Sequence, residues 1–373
     1  MEALKFDRLN PYNNLPLLPP NKDIENNPVI LKRLVSASRA LATVNGNLNR
    51  LPNPLMLINT LALQEAKTSS EIENIFTTED ELYKAISNTN KEVNINPATK
   101  EVLKYREALW AGYKELQIKQ KIDTELIKQI FNQIKETTSG YRPPQAQVVI
   151  KRGESEFRSG EIVYTPPRAE GLIESLMDNL VDYLNNDDLY PVDPLLKMCV
   201  AHYQFEAIHP FQDGNGRTGR ILNLLYLISK GLLSQPVLYM SKFIILNKED
   251  YYFKLGAITQ RSSWESWIEF MLEATEKTSI LTNTRINEIL SQMDSTLEYA
   301  KGKIKWYNKE VNEAIFSQPY IKPSVIGEII GKSSRTTLTK YVNELVSNNI
   351  LRPKKDGVEV FYVNDDLIRI LEG

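Results

Sequence analysis

The stretch Ile208-His209-Pro210-Phe211-Gln212-Asp213-Gly214-Asn215-Gly216-Arg217-Thr218-Gly219-Arg220 decides how this 373-residue chain is read. Pro210 breaks a helix, so an apolar helix arriving at Ile208 ends there and His209 opens a loop. Gly214-Asn215-Gly216 can take the left-handed conformations of an anion nest, with backbone N–H groups converging on one point. A helix starts directly afterwards, and its N-terminus adds positive partial charge at the same point. Arg217 and Arg220 are three apart, hence on one face near the start of that helix. Asp213 precedes the nest, where a carboxylate would repel a phosphate unless a cation lay between. That placement suggests Mg²⁺, which takes oxygen ligands from one carboxylate plus phosphates. His209 has an ordinary pKa near ~6.5, suited to a general base, and its role should fade below pH ~6.

Around this loop the periodicity is mainly helical. It predicts helices over 28–44, 54–66, 98–120, 123–137, 168–184, 194–208, 216–231, 248–255 and 263–293, with Gly46-Asn47 ending the first. Ser69 to Asn74 reads as a separate short helix, because Thr68 and Ser70 each stand three residues before a glutamate, at capping-box spacing. The proline-rich segment 10–20 reads as an extended arm. Strands at 147–150 and 161–165 form a hairpin around a turn at 152–155. At the end of the chain, helices over 324–330 and 334–348 precede a hairpin of 350–353 and 358–363, the order of a winged helix.

Composition narrows the classes. Lys plus Arg total 45 and Asp plus Glu 47, a net charge of -2, so no global attraction to nucleic acid or membrane follows. A single cysteine, Cys199, excludes an internal disulfide and a cysteine-based zinc site, and it reads as a buried small hydrophobe. Met1 to Asp7 lacks the apolar core of a secretion signal, and no apolar run approaches ~18 residues, so a cytoplasmic protein without membrane contact is expected. His202 lies among Met198, Val200 and Phe205 and reads as a structural histidine. Glu206 either orients the loop or makes an ordinary hydrogen bond.

With these residues in place, the chain resembles the Fic (Fido) family. His209-Pro210-Phe211-x-Asp213-Gly214-Asn215-Gly216-Arg217-x-x-Arg220 matches the family motif H-P-F-x-[D/E]-G-N-G-R-x-x-R at every fixed position. Ser69-x-x-x-Glu73-Asn74 matches the family's inhibitory motif, [S/T]-x-x-x-E-[G/N]. The hairpin falls where family members carry the flap over a target peptide, and Tyr251-Tyr252-x-x-Leu255 resembles the segment bordering the adenine. An inhibitory motif ahead of the catalytic one is the class II arrangement, which includes chains with a C-terminal winged helix.

The resemblance implies a mainly α protein with a Fic-type helical core, a β-hairpin flap and a C-terminal winged-helix domain. Residues 1–110 would form an N-terminal arm and helical region carrying the inhibitory helix at about 68–76. Residues 111–275 would be the core with its flap at 147–165, 276–300 a linker helix, and 301–373 the winged helix. It implies transfer of AMP from ATP to a Ser, Thr or Tyr hydroxyl of a protein lying along the flap. His209 would be the base, Asp213 the Mg²⁺ ligand, and Gly214, Asn215, Gly216, Arg217, Thr218, Gly219, Arg220 and Tyr251 the nucleotide-binding residues. Phe211 would anchor the loop. Glu73 would inhibit by competing for Arg220, with Ser69 hydrogen-bonding Glu73. Two other readings stand beside this one: removal of AMP by the same site, and a DNA-binding regulator with the core as nucleotide sensor. Residues 301–373 carry 12 Lys/Arg against 9 Asp/Glu, a mild excess. Lys332 and Arg335 at the second helix and Arg352, Lys354 and Lys355 in the wing would be the DNA contacts. A protein-docking or homodimer role for that module stands as well.

Overall fold

The computed structural model describes residues 6–48, 54–87, 95–152, 160–331, 334–357 and 359–372. The helices are α1 (Pro28–Leu48), α2 (Pro54–Ile72), α3 (Glu79–Ser87), α4 (Pro97–Lys119), α5 (Thr124–Lys135), α6 (Leu172–Asn185), α7 (Pro194–Ile208), α8 (Asn215–Ser229), α9 (Met240–Leu246), α10 (Lys248–Arg261), α11 (Trp264–Lys301), α12 (Lys309–Ile315), α13 (Pro323–Ile330), α14 (Arg335–Ser347) and α15 (Asp365–Glu372). The strands are β1 (Ile150–Arg152), β2 (Glu161–Tyr164), β3 (Tyr320–Ile321), β4 (Arg352–Asp356) and β5 (Glu359–Val363). The fold is mainly helical, as the periodicity predicts. Among the described residues no helix is long and apolar enough to cross a membrane.

The centre of the molecule is the pair α7 and α8. Every residue of α7 from Leu195 to Ile208 is buried, which explains why its sequence shows no polar stripe. Pro194 at the first turn and Pro210 just beyond the last fix its ends. Helices α4 and α5 pack against α8, and α1 lies along α11. The proline-rich arm is extended and seated: Asn179 exchanges hydrogen bonds with both backbone groups of Leu18 (2.8 and 3.1 Å), and Gln204 donates to the Pro16 carbonyl at 2.9 Å.

Several local expectations give way to packing. Helix α1 runs through Gly46 to Leu48, because Val44 and Leu48 are buried on its inner face. Thr68 and Ser70 do not cap a new helix. The chain continues helically from Pro54 to Ile72, and Thr68 and Ser69 point inward to Tyr239 and Arg220. The capping box lies further on, where the Thr78 hydroxyl accepts from the Glu81 N–H (3.2 Å) and Glu81 accepts from the Thr78 N–H (3.3 Å). It starts α3, which periodicity alone does not predict; α9, α12, β3 and α15 are likewise additions. Helix α11 passes unbroken through the segment expected as a separate linker.

The hairpin is antiparallel but shorter than expected, β1 starting at Ile150, and residues 153–159, which include most of the turn expected at 152–155, lie outside the described residues. Tyr164 anchors its base by donating to the Ala207 carbonyl at 2.9 Å. In the C-terminal module, α13 and α14 precede the β4–β5 hairpin, and β3 joins to give the order β3-β5-β4. This module docks on α3. Asp80 accepts from Lys354 and from the Tyr320 hydroxyl, both at 2.6 Å, and Lys84 pairs with Asp356 at 3.1 Å.

Gly112 of α4 sets how closely α4 approaches α8 and α5. A Cβ there would lie 2.7 Å from Leu225 Cδ1 and 3.3 Å from Ile130 Cγ1. Gly112→Val should therefore destabilise the fold by ~1–3 kcal/mol through overpacking. Gly46→Ala, with nothing within 4 Å of the new methyl, should stabilise α1 by ~0.5–1 kcal/mol. Denaturant midpoints of the two variants check both signs.

Candidate active site

The loop between α7 and α8 is held by its own residues. His209 caps α7 in the left-handed conformation (φ 49°), its N–H donating to the Phe205 carbonyl at 3.0 Å. The Phe211 ring is fully buried and stacks on Phe131 with centroids 3.9 Å apart, so it anchors the loop as expected. Asn215 closes the loop on itself: Nδ2 donates to the Phe211 carbonyl at 2.8 Å, and Oδ1 accepts from the Phe211 N–H at 2.9 Å. Its side chain is thereby spent, and only its backbone belongs to the nest. Gly214 takes φ 78° ahead of α8. Arg142 pins the loop from outside, with Nε donating to the His209 carbonyl (2.7 Å) and Nη2 to those of Pro167 (2.5 Å) and Ile208 (3.2 Å). No sequence signal marks Arg142, which stands 67 residues away from His209.

Glu73 and Arg220 meet at the start of α8. Arg220 is buried, and its Nη2 pairs with Glu73 Oε1 at 2.7 Å. Ser69 serves Arg220 and not Glu73: its hydroxyl accepts from Nε at 2.7 Å and its carbonyl from Nη2 at 2.8 Å. Burial opposes the charge on Arg220, but Glu73, with Tyr105 and Tyr251 adding to it, holds the guanidinium pKa above its ordinary value. A Cβ on Gly216 would lie 2.3 Å from Glu73 Oε1, so the carboxylate rests directly on the first turn of α8. Lys248 fixes the end of α2 by donating to the Ile72 carbonyl at 2.6 Å. Glu206 Oε1 is buried beside Gly219 with no partner among the described residues. Burial raises its pKa to about 8, against the pull of Arg220, so it is mostly protonated at neutral pH.

Asp213 is two-thirds exposed and pairs with Lys135 at 2.6 Å. Burial works against its charge, but Lys135 and Arg217 keep its pKa below the usual carboxylate value. Arg217 is buried and pairs with Glu101 Oε2 at 2.8 Å. Lys135 and Glu101 are site residues that the motif does not name, since they come from α5 and α4. Among the described residues no group of three or more His, Cys, Asp or Glu side chains is placed to hold a metal. One exposed, ionised carboxylate beside an anion nest fits Mg²⁺ held jointly with phosphates.

The side chains of two residues expected to bind the nucleotide, Thr218 and Tyr251, turn inward, and the Cα face of a third, Gly219, does too. The Thr218 hydroxyl donates to the Gly214 carbonyl at 2.9 Å, and Gly219 faces Phe205 and Glu206. Tyr251 is 2% exposed, bonds His202 Nε2 through its hydroxyl at 2.9 Å and packs on Trp267, so it belongs to the core. The neighbouring Tyr252 is the exposed one of the pair. His202 is structural, its pKa pressed to about 3 by burial and then by Arg220. His209 also departs from the expected value: burial, then the charge of Arg142, lower its pKa to about 4.

A helical core with a His-Pro-Phe loop, a glycine nest and a buried arginine on one helix start defines the class of Fic-type folds. The chain belongs to the Fic family: the models "Fic/DOC family N-terminal", "Fic/DOC family" and "Protein adenylyltransferase SoFic-like, C-terminal domain" match residues 31–114, 120–227 and 292–367. A protein named protein adenylyltransferase fic-1, from Caenorhabditis elegans, is 28% identical over 152 residues, covering 41% of this chain and 28% of that protein. Protein adenylyltransferase Fic from Drosophila erecta is 28% identical over 160 residues, covering 42% and 30%. The chain thus spans less than a third of these relatives. A Fic family protein from Desulfovibrio desulfuricans G20 shares the fold at a TM-score of 0.57 and 22% identity, over 93% of this chain and 98% of that one.

The contact between Glu73 and Gly216 is testable apart from any activity. Gly216→Ala should cost ~1–3 kcal/mol of stability in the wild-type background, because the methyl strikes the seated carboxylate. In a Glu73→Gly background the same substitution should cost much less. A double-mutant cycle by chemical denaturation measures the difference.

Proposed function

We propose that the chain is a protein adenylyltransferase, transferring AMP from ATP to a Ser, Thr or Tyr hydroxyl, and that Glu73 holds it inactive. The observation that carries this reading is the Glu73 carboxylate seated on the Gly216 edge of α8 and paired with Arg220. An internal carboxylate there takes the place that the nest, the helix dipole and the arginine prepare for a phosphate. The names of the matching relatives support the same chemistry.

The substrate hydroxyl oxygen attacks the α-phosphorus, the bond to pyrophosphate breaks, and His209 takes the hydroxyl proton. With its pKa near 4 the imidazole is neutral at pH 7 and free to accept. The backbone of Gly214-Asn215-Gly216 meets phosphate oxygens, Arg217 the β-phosphate while shared with Glu101, and Arg220 the γ-phosphate once Glu73 leaves. Mg²⁺ would be held by Asp213, where it neutralises phosphate charge, and Lys135 would yield its place. The target protein lies along β1 and β2. A γ-phosphate and Glu73 about 4 Å apart would repel by ~4 kcal/mol at an effective dielectric of 20. That is enough to put the triphosphate out of line for attack.

The DNA reading has less support. Lys354 is spent on Asp80, and Arg352 forks onto Asp365 with two bonds of 2.7 Å. Lys332 and the Arg335 side chain lie outside the described residues. A wing engaged within its own chain favours a docking role for the C-terminal module.

Incubation with α-labelled and, separately, γ-labelled ATP tests the reaction, and only the α-label should reach protein. Glu73→Gly should raise transfer, self-modification included, ~100-fold or more, equivalent to ~2.7 kcal/mol in the barrier. Arg220→Ala should not activate, and the double variant should behave as Arg220→Ala alone. Equal rates in wild type and Glu73→Gly at saturating ATP and Mg²⁺ would overturn the inhibitory role.

The pH dependence separates base from binding. Because the folded pKa of His209 is lowered, the neutral base persists as pH falls from 7 to 5 and is lost only as pH passes through about 4. The Glu73→Gly variant should keep most of its rate at pH 5.5, where an unperturbed histidine would be largely protonated. His209→Ala should abolish transfer and leave ATP affinity within a few-fold. A rate that halves near pH 6.5 would contradict this placement of the imidazole.

A further inference from the structure

The junction between the N-terminal helices and the C-terminal module contains a cleft of about 150 Å³, far more than the ~10–15 Å³ that one water needs. Its walls come from α2 (Asn59, Leu63), α3 (Ile86), α4 (Arg106) and the α12–β3 connection (Gln318, Pro319). Arg106 is the charged group in it. Its Nη2 donates to Asn59 Oδ1 at 3.1 Å, and its Nε is buried with no partner among the described residues. No carboxylate among the described residues forms an ion pair with it. Its sequence neighbour Glu107 points elsewhere, accepting from Lys104 at 2.8 Å and from Gln133 at 3.1 Å. A guanidinium with five donors, one of them bonded to a neutral amide, is a charge without an ion-pair partner among the described residues in a partly dry cleft, helped only at a distance by Glu107.

We propose that this cleft binds a small oxyanion, a carboxylate or phosphate group gripped by Arg106. The guanidinium fork matches the two oxygens of such a group. A cation is excluded by charge, and a purely apolar ligand would leave the guanidinium as poorly satisfied as it is now. The Gln318 amide and the Thr60 side of α2 add polar wall, while Leu63, Ile86 and Pro319 offer apolar surface to a short tail. The site is separate from the nest at Gly214–Gly216, and its occupancy does not depend on AMP transfer.

Isothermal titration of the full chain without nucleotide tests this, with inorganic phosphate, butyrate and succinate as probes. At least one should bind the wild type with a Kd of about 1 mM or tighter. Preference for phosphate assigns a phosphate group, and preference for butyrate a carboxylate with an apolar tail. Arg106→Gln should weaken binding at least ~10-fold, while Arg220→Ala, which disables the other anion site, should leave it unchanged. Asn59→Asp keeps the shape of the cleft but supplies Arg106 with an internal carboxylate that offsets its charge. It should abolish probe binding and raise the melting temperature, which keeps the test decisive if Arg106→Gln folds poorly. No binding by any probe would overturn the proposal. So would binding lost in Arg220→Ala and kept in Arg106→Gln, or Asn59→Asp leaving both binding and melting unchanged.

Discussion

The structure is organised around the burial of one guanidinium. Arg220 sits in the second turn of α8, close to the positive end of the helix dipole, and it is almost wholly removed from water. Two positive features at one buried point require an anion. Helix α2 brings one: it runs unbroken to Ile72, offers the hydroxyl and carbonyl of Ser69, and lets the next residue, Glu73, fall across the edge of Gly216. Only a glycine leaves room for that carboxylate. Lys248 holds the end of α2 at this point, so the anion is delivered by a rigid element with a fixed end.

The same burial spreads the pKa values of neighbouring groups. His202 and His209 are both pressed toward neutrality, while Glu206 is pressed toward its protonated form. Near neutral pH the charges at the centre are therefore chiefly Arg220 with Glu73, Arg217 with Glu101, Asp213 with Lys135, and Arg142. Arg142 contributes twice: it fixes the backbone of the His209 loop through the His209 and Ile208 carbonyls and ties it to Pro167, and its charge adds to burial in keeping a proton off the imidazole. A loop locked by Asn215, Phe211 and Arg142 presents a preformed nest, so little ordering is needed when an anion arrives.

The C-terminal module is tied to the segment that follows Glu73. Asp80 lies seven residues further on and accepts from both Lys354 and Tyr320; these bonds outweigh its burial and lower its pKa to about 2. Two of the basic groups that look available for a polyanion in the sequence, Arg352 and Lys354, are committed inside the chain. Arg106, on the other side of the same contact, has no ion-pair partner among the described residues.

Much of this was legible in the sequence because it depends on neighbours along the chain. Pro194 and Pro210 delimit α7, Asp123 caps α5, and the spacing of Asp213, the glycines and the two arginines lays out the nest before any fold is known. The pairing of Glu73 with Arg220 was legible only through the family motif, since 147 residues separate them. Other features were decided by tertiary contacts alone. Thr68 and Ser70 have capping-box spacing, yet the helix continues because Tyr239 and Arg220 meet its side chains. Tyr251 looks like a ligand contact and becomes core because Trp267 and His202 enclose it. The pKa of His209 moves because desolvation and Arg142 act from outside its own segment. Local sequence sets backbone preferences and the order of chemical groups. Which polar groups lose water, and which partners then satisfy them, depends on distant segments brought together by burial, and no spacing along the chain encodes it.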